Sequence, residues 1–227
     1  MREIINNPSI ICYEDPYLLI INKPAGILVH PTVKEDGTSL YNYVQRYYQD
    51  QGLALNVHPV SRLDRFTSGL VLFAKSPQVQ YNLSQSKITK TYLALVTKTP
   101  PEPQGMIEAP IARKEGSIIE RCVSPCGKEA RTRYQVIRSC GSLTLVRLEL
   151  LTGRTHQIRV HCAYIGCPVY QDHLYGPPGP QMRHMLHACS LAFLHPVSGV
   201  RLEITCAPPP DMAALIWTGK KSLNSFS

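Results

Sequence analysis

The stretch Ser61-Arg-Leu-Asp-Arg-Phe-Thr-Ser-Gly69 sets one carboxylate, Asp64, between two arginines ahead of the apolar run Leu70–Ala74. Positive charge on Arg62 and Arg65 favours the ionised carboxylate, so Asp64 can act as a nucleophile at neutral pH. The same residues also suit a turn in which the Asp side chain caps backbone amides before a strand. A second dense block, Leu151-Thr-Gly-Arg-Thr-His-Gln-Ile-Arg-Val-His161, continues through Ala163-Tyr-Ile-Gly166 and Pro168 to Asp172-x-x-Tyr175-Gly176. In a helix from about Thr155 to Ile165, Arg159 falls on the face of Thr155, Cys162 and Ala163. A guanidinium placed there is largely buried and needs an anion, and Asp64 is the expected partner. Competing chemistries leave no mark: no Gly-x-Ser-x-Gly elbow surrounds Ser68, and neither a Gly-x-Gly-x-x-Gly nor a Walker loop occurs.

The chemistry sharpens once the blocks are compared with known signatures. Arg62-Leu-Asp-Arg-x-Thr-Ser-Gly69 resembles the signature of the RluA-type pseudouridine synthases, and Thr152-Gly-Arg-Thr-His-Gln-Ile-Arg-Val-His161 resembles that family's second motif residue for residue. Three shorter matches keep the same order: Asn22-Lys-Pro-x-Gly26, Lys90-x-Tyr-x-Ala94 and Leu186-His-Ala188. Together they cover about Ile10 to Ala207. The resemblance implies an isomerase that breaks the bond from uracil N1 to the sugar, turns the base, joins C5 to the sugar and removes the C5 proton. No redox step occurs, so no cofactor is expected.

Roles follow from the resemblance position by position. Asp64 is the nucleophile, Arg159 orients it, and Tyr92 packs on the uracil and takes part in C5 deprotonation. Arg62 helps displace the target base, which must leave its stack before chemistry can reach it. Ile158 lines the base pocket. Each has a plainer reading beside it: Tyr92 alternates with Ala94 and Val96 as a core tyrosine would, Ile158 suits any helix core, and Arg62 suits a solvated turn. His156 and His161 are read as supports that bond neighbouring backbone. Two positions depart from the family pattern, Ser61 where many relatives carry His, and Gln171 where Gly usually precedes Asp172. A glycine is favoured at the second if the backbone there has positive φ.

Charge and composition agree with a nucleic-acid partner. The chain has 24 Lys plus Arg against 16 Asp plus Glu, a net charge of +8 that suits a polyanion, although a basic surface alone would look the same. Its 227 residues fit one catalytic domain. The eight cysteines, without a signal-peptide pattern, read as reduced thiols in a cytoplasmic protein. Cys122, Cys126, His173, His184 and His187 lack the paired spacing of a zinc site, so no metal is expected. Apolar runs are too short to span a membrane.

The elements that must position these residues alternate between strands and short helices. Strands are expected at Ile10–Tyr13, Tyr17–Asn22, Leu70–Ala74, Thr91–Thr97, Ala130–Ile137, Leu143–Leu150 and Arg201–Cys206. Thr38 or Ser39 caps a helix to about Gln51 with Leu40, Tyr43, Val44 and Tyr47 facing the core, and Ser76-Pro77 opens another to about Ser86. Asp211 is expected to cap a last helix through Trp217, closed by Gly219. The pattern predicts an α+β fold with a mixed, mostly antiparallel sheet, flanking helices and, by resemblance, a central catalytic cleft. Many of these synthases also carry a small S4-like RNA-binding domain; only nine residues precede the first strand here, so a monomeric catalytic domain that grips ribosomal or transfer RNA with its own surface is expected. Two other classes stay open, a silent RNA-binding module and a hydrolase that releases free uracil.

Overall fold

The computed structural model describes residues 10–31, 39–177 and 183–218. The chain forms two compact units, Met1–Thr89 with Ala188–Ala207, and Lys90–His187 with Pro208–Ser227.

In the first unit, β1 (Ile11–Glu14) and β2 (Leu18–Lys23) form an antiparallel hairpin. Asp15 shapes its turn: Oδ1 accepts the amides of Tyr17 and Leu18, both at 2.7 Å. Helix α1 (Leu40–Gln49) and the short β3 (His58–Pro59) follow, then β4 (Ser68–Ala74), α2 (Pro77–Gln85) and, much later in the chain, β11 (Leu186–Leu194), which belongs to this unit from Ala188 onward, and β12 (Arg201–Thr205). β2 runs antiparallel to β4 from Leu18 opposite Ala74 to Lys23 opposite Gly69. The other edge of β4 takes β3 and β11, and β12 closes on β11. All seven residues of β4 are buried, as an apolar run lodged between partners should be.

Ser76 caps α2 and Pro77 occupies its first turn, so the missing proline N–H costs nothing. The helix buries Val79 and Leu83 against Leu18, Ile20, Leu70, Leu72, Leu191 and Phe193. Each large side chain of this cluster contributes about 1.5–3 kcal/mol of burial. Ser39 and Asn42 form a capping box at α1. The buried stripe of α1 is Leu40, Val44 and Tyr48; the expected Tyr47 is instead half-buried, and both tyrosine hydroxyls donate to Glu14, at 2.9 and 2.8 Å. Thr38 lies outside the described residues.

The second unit is built on β5 (Thr89–Val96), β6 (Gln104–Glu108), β9 (Arg131–Cys140) and β10 (Leu143–Leu150), paired antiparallel in the order β5-β10-β9-β6. Strands β7 (Ile111–Arg113) and β8 (Arg121–Val123) form a separate hairpin. Helix α3 (Gln157–Tyr164) precedes β11, and α4 (Pro210–Thr218) packs Met212 and Ile216 against Leu95, Leu143, Leu145 and Met185. Asp211 differs from expectation: α4 starts one residue earlier, and the Asp211 carboxylate holds the Arg183 guanidinium. Gly219 lies outside the described residues. β10 has the expected bounds. Every strand pairing with a described register is antiparallel, and few helices accompany the strands, so the fold is α+β.

Candidate active site

Asp64 stands half-buried in the loop between β3 and β4 of the first unit, with Arg62 exposed beside it. Three contacts fix this loop. The Thr67 amide donates to the Asp64 carbonyl at 3.1 Å, the Gly26 amide donates to the Arg65 carbonyl at 2.8 Å, and the Ser61 hydroxyl accepts the Leu72 amide at 3.3 Å. Lys23 completes the lock. It is fully buried, and its Nζ donates to the carbonyls of Pro24, Ile27 and Arg65 at 2.9, 2.8 and 3.0 Å. Three carbonyl dipoles replace water around the ammonium.

Gly69 anchors the other end of the loop. Its φ is +114°, and a Cβ there would lie 2.2 Å from the Ala188 carbonyl oxygen and 2.5 Å from its amide nitrogen. Only glycine allows β4 to approach β11 this closely. The Thr-Ser-Gly and Leu-His-Ala blocks of the sequence thus meet through backbone.

In the second unit, Tyr92 is buried on β5 opposite Leu148 of β10. Directly opposed residues share a face, so the pairs Lys90–Leu150 and Leu150–Thr132 put Lys90 and Thr132 on the Tyr92 face of the sheet. Helix α3 lies on this face. Gln157 Nε2 donates to Thr132 Oγ1 at 3.0 Å and to the Arg131 carbonyl at 2.9 Å, while its Oε1 accepts the Thr152 hydroxyl and the Arg154 amide, both at 2.9 Å. His161 bonds Thr132 Oγ1 and the Ala109 carbonyl, each at 2.9 Å. A carbonyl only accepts, so Nε2 carries the proton. Burial lowers the His161 pKa, partly offset by that carbonyl. The residue supports the helix as a neutral ring. Burial also lowers the pKa of Lys90.

Ile158 and Arg159 are both buried on α3. Inside its own unit, Arg159 meets an anion not expected from the sequence, Asp172. Nε donates to Asp172 Oδ2 at 2.7 Å and an Nη to Oδ1 at 2.8 Å, and the guanidinium lies 5.0 Å from the Tyr175 ring centre. Burial by itself would raise the Asp172 carboxyl, but the bonds and charge of Arg159, with smaller help from His184 and the Leu174 amide, hold it below the usual carboxylate range. Tyr175 Oη accepts the Arg121 amide at 2.9 Å and sits 2.7 Å from His156 Nδ1. His156 thus bonds the Tyr175 side chain.

Lys23, Asp172 and Tyr175 stand within motif blocks for which no individual role was expected, and Lys90 was expected only among the basic residues that bind phosphate. The signal for Asp172 was present, since a buried arginine needs a fork-matched carboxylate and the Asp172 block follows on the same motif. The two units divide the expected site residues: Asp64 and Arg62 belong to the first, Tyr92, Ile158 and Arg159 to the second. Among the described residues, no group of three or more His, Cys, Asp or Glu is placed to hold a metal, and no helix is long and apolar enough to cross a membrane.

Residues 17–164 match the RNA pseudouridylate synthase family. An uncharacterised RNA pseudouridine synthase of Bacillus subtilis (strain 168), YjbO, is 38% identical over 214 residues, covering 92% of this chain and 76% of its own. The ribosomal large subunit pseudouridine synthase D of Yersinia pestis is 34% identical over 238 residues, covering 96% and 73%. Among solved structures, human RNA pseudouridylate synthase domain containing 1 superposes with a TM-score of 0.73 at 25% identity, over 90% of this chain and 86% of that one. Human RNA pseudouridylate synthase domain containing 4 superposes with a TM-score of 0.75 at 24% identity, over 92% of each, and supports the fold. With the motif blocks in order, the α+β fold matched and relatives above 30% identity along most of its length, this chain belongs to the RNA pseudouridine synthases, isomerases of uridine in RNA.

Proposed function

We propose that Asp64 is the nucleophile of this synthase and that it acts on a uridine flipped out of a structured RNA. The observation that carries the reading is the locked loop. Lys23 and Gly26 both bond the Arg65 carbonyl, so the loop that carries Asp64 is pinned at the residue after it. Fixed presentation lowers the cost of reaching a near-attack geometry. Arg159, aimed by Asp172, is the orienting cation. Tyr92 packs on the uracil and assists loss of the C5 proton, Ile158 lines the base pocket, and Arg62 helps displace the base. The isomerisation breaks N1–C1′, forms C5–C1′, loses a proton at C5 and gains one at N1. It balances without cofactor or metal.

The substrate is ribosomal or transfer RNA, bound through its stem-loops. The Yersinia pestis relative is, by its name, a synthase of the large ribosomal subunit. The net charge of +8 supplies phosphate affinity. The family match runs through both units, which supports reading them as one catalytic domain, working as a cytoplasmic monomer. Incubating the protein with a uridine-containing stem-loop and digesting to nucleosides tests the reading. Pseudouridine is expected. No change would indicate a silent binding module, and free uracil a hydrolase.

A further inference from the structure

Gln171 occupies a position that costs the fold twice. It has φ 62°, and it and His156 are the only described residues other than glycine with positive φ. Glycine adopts that backbone without strain; a residue with a Cβ does not. Gln171 is also only 3% exposed, and its Oε1 is buried with no hydrogen-bond partner among the described residues. A buried acceptor left unmet is a second cost, of the kind that marks a strained or functional position.

The conformation is imposed from both sides. The Tyr170 amide donates to the Leu95 carbonyl at 2.7 Å, the Met185 amide to the Tyr170 carbonyl at 3.0 Å, and the Asp172 amide to the Val169 carbonyl at 3.2 Å. On the far side, the Gly176 amide returns to the Asp172 carbonyl at 2.8 Å, and Asp172 Oδ1 accepts the amides of Leu174 and Tyr175 at 3.1 and 3.2 Å. The loop is therefore stitched around residue 171 whatever side chain stands there. The backbone asks for glycine. Its Oε1 bonds nothing in the loop, so this acceptor does not explain the strain as a structural strut.

The chemistry of the orphan atom restricts its ligand. A carboxamide oxygen only accepts, so its partner must be a donor. Phosphate oxygens, which dominate RNA contacts, are excluded. On a uridine the available donors are the imide N3–H of the base and the ribose 2′-hydroxyl. The next residue, Asp172, holds Arg159 through two bonds, so residue 171 is one peptide away from the partner of the cation proposed to orient Asp64.

We infer that Gln171 is a specificity-determining residue whose Oε1 receives a hydrogen bond from a donor of the target nucleotide. The inference rests on the synthase reading above and adds a contact to it. A site that hydrogen-bonds a substrate donor discriminates against nucleotides lacking it.

The test uses the full chain with an RNA stem-loop carrying uridine, 2′-deoxyuridine or N3-methyluridine at the target position, read by single-turnover rates, kcat/KM and thermal midpoint. Gln171→Met keeps the volume and removes the acceptor; on the uridine substrate its kcat/KM is expected to fall on the order of tenfold with an unchanged thermal midpoint. Gln171→Gly is expected to show the same loss with a raised midpoint, because the strain is relieved. In Gln171→Met, one of the two modified nucleotides should cost no more than uridine itself, identifying the donor by its coupling. Kinetics within twofold of wild type in Gln171→Met would overturn the inference and leave water as the partner. So would equal penalties for both modified nucleotides in wild type and variant. Asp64→Asn is run alongside: turnover by that variant removes the nucleophile assignment, while the Gln171 comparison, made on wild-type turnover, stands separately.

Discussion

Lys23 and Arg65 are joined by a hydrogen bond from a fully buried ammonium to a backbone carbonyl at 3.0 Å. The Asn22-Lys-Pro block therefore holds the carbonyl of the residue after Asp64. Replacing Lys23 by Met keeps the length but strands three buried carbonyls, so destabilisation of about 3 kcal/mol is expected. Urea midpoints measure it. The catalytic rate should fall further than stability alone explains under conditions where the variant is still folded, and a folded Lys23→Met with wild-type turnover would remove the clamp from the account.

Asp64→Asn should abolish pseudouridine formation while RNA affinity stays within a few-fold. The amide keeps the shape and loses the nucleophile, and phosphate contacts are untouched. Nucleoside analysis and filter binding report the two quantities. Appreciable turnover would exclude Asp64 from the chemistry.

The Arg159–Asp172 pair links stability to pH with a definite sign. Asp172 has a lowered pKa in the folded protein, so the unfolded chain binds more protons in acid and stability falls as pH falls. The contribution is fully present above about pH 4, the ordinary carboxylate value, and is lost as pH drops through the depressed folded value. Asp172→Asn should flatten this part of the acid limb and cost about 3–5 kcal/mol at neutral pH, because Arg159 loses its buried counter-charge. Arg159→Lys retains charge but lacks the planar fork, and a large loss of rate is expected. A Lys variant near wild-type activity would show that the bidentate geometry is dispensable.

Gly69→Ala should be among the most damaging substitutions in the chain. The added methyl would meet the Ala188 backbone at 2.2 Å, and both partners are strand backbone that cannot swing aside. A loss of more than about 4 kcal/mol, seen as insoluble protein or a collapsed thermal midpoint, is expected. A soluble variant with an unchanged midpoint would contradict the close approach of β4 and β11.

RNA affinity should weaken steeply with salt, by about 0.7 log units per log unit of salt for each single-strand phosphate neutralised. An unpaired target uridine should react well and the same uridine in a perfect duplex poorly, since flipping is cheapest in loops. Titrations between about 50 and 200 mM salt and rates on the two RNAs check this. Equal rates would argue against base flipping.

The parts legible in the sequence were those written in local chemistry. Ser76-Pro77 marks the start of α2, and the run Leu143–Leu150 has the bounds of β10, because caps, prolines and apolar runs act within a few residues. Strand β11 carries no strand signal in the sequence, since His187, Cys189 and Ser190 break its apolar run and β4, one of the strands it pairs with, lies more than a hundred residues earlier. Helix α3 begins at Gln157 and not Thr155 because His156 takes a left-handed φ of 58°, which no side-chain pattern announces. The motif blocks named the expected site residues, but the long-range bond of Lys23 to Arg65 and the fork between Arg159 and Asp172 come from tertiary placement. The glycine preference at residue 171 was legible, and the positive φ found there agrees with it.

The interleaved path of the first unit has a consequence for biosynthesis. Strand β4 is made early, yet the strand that Gly69 abuts is supplied by residues 188–194, after most of the second unit has been translated. Until then the Gly69 end of β4 has an open edge in a strand whose residues 70–74 are all apolar, a template for wrong pairing. Nascent chains halted before β11 should therefore be aggregation-prone and inactive, and the locked Asp64 loop should reach its final form only when β11 docks, so that folding of this enzyme is timed by its last strands.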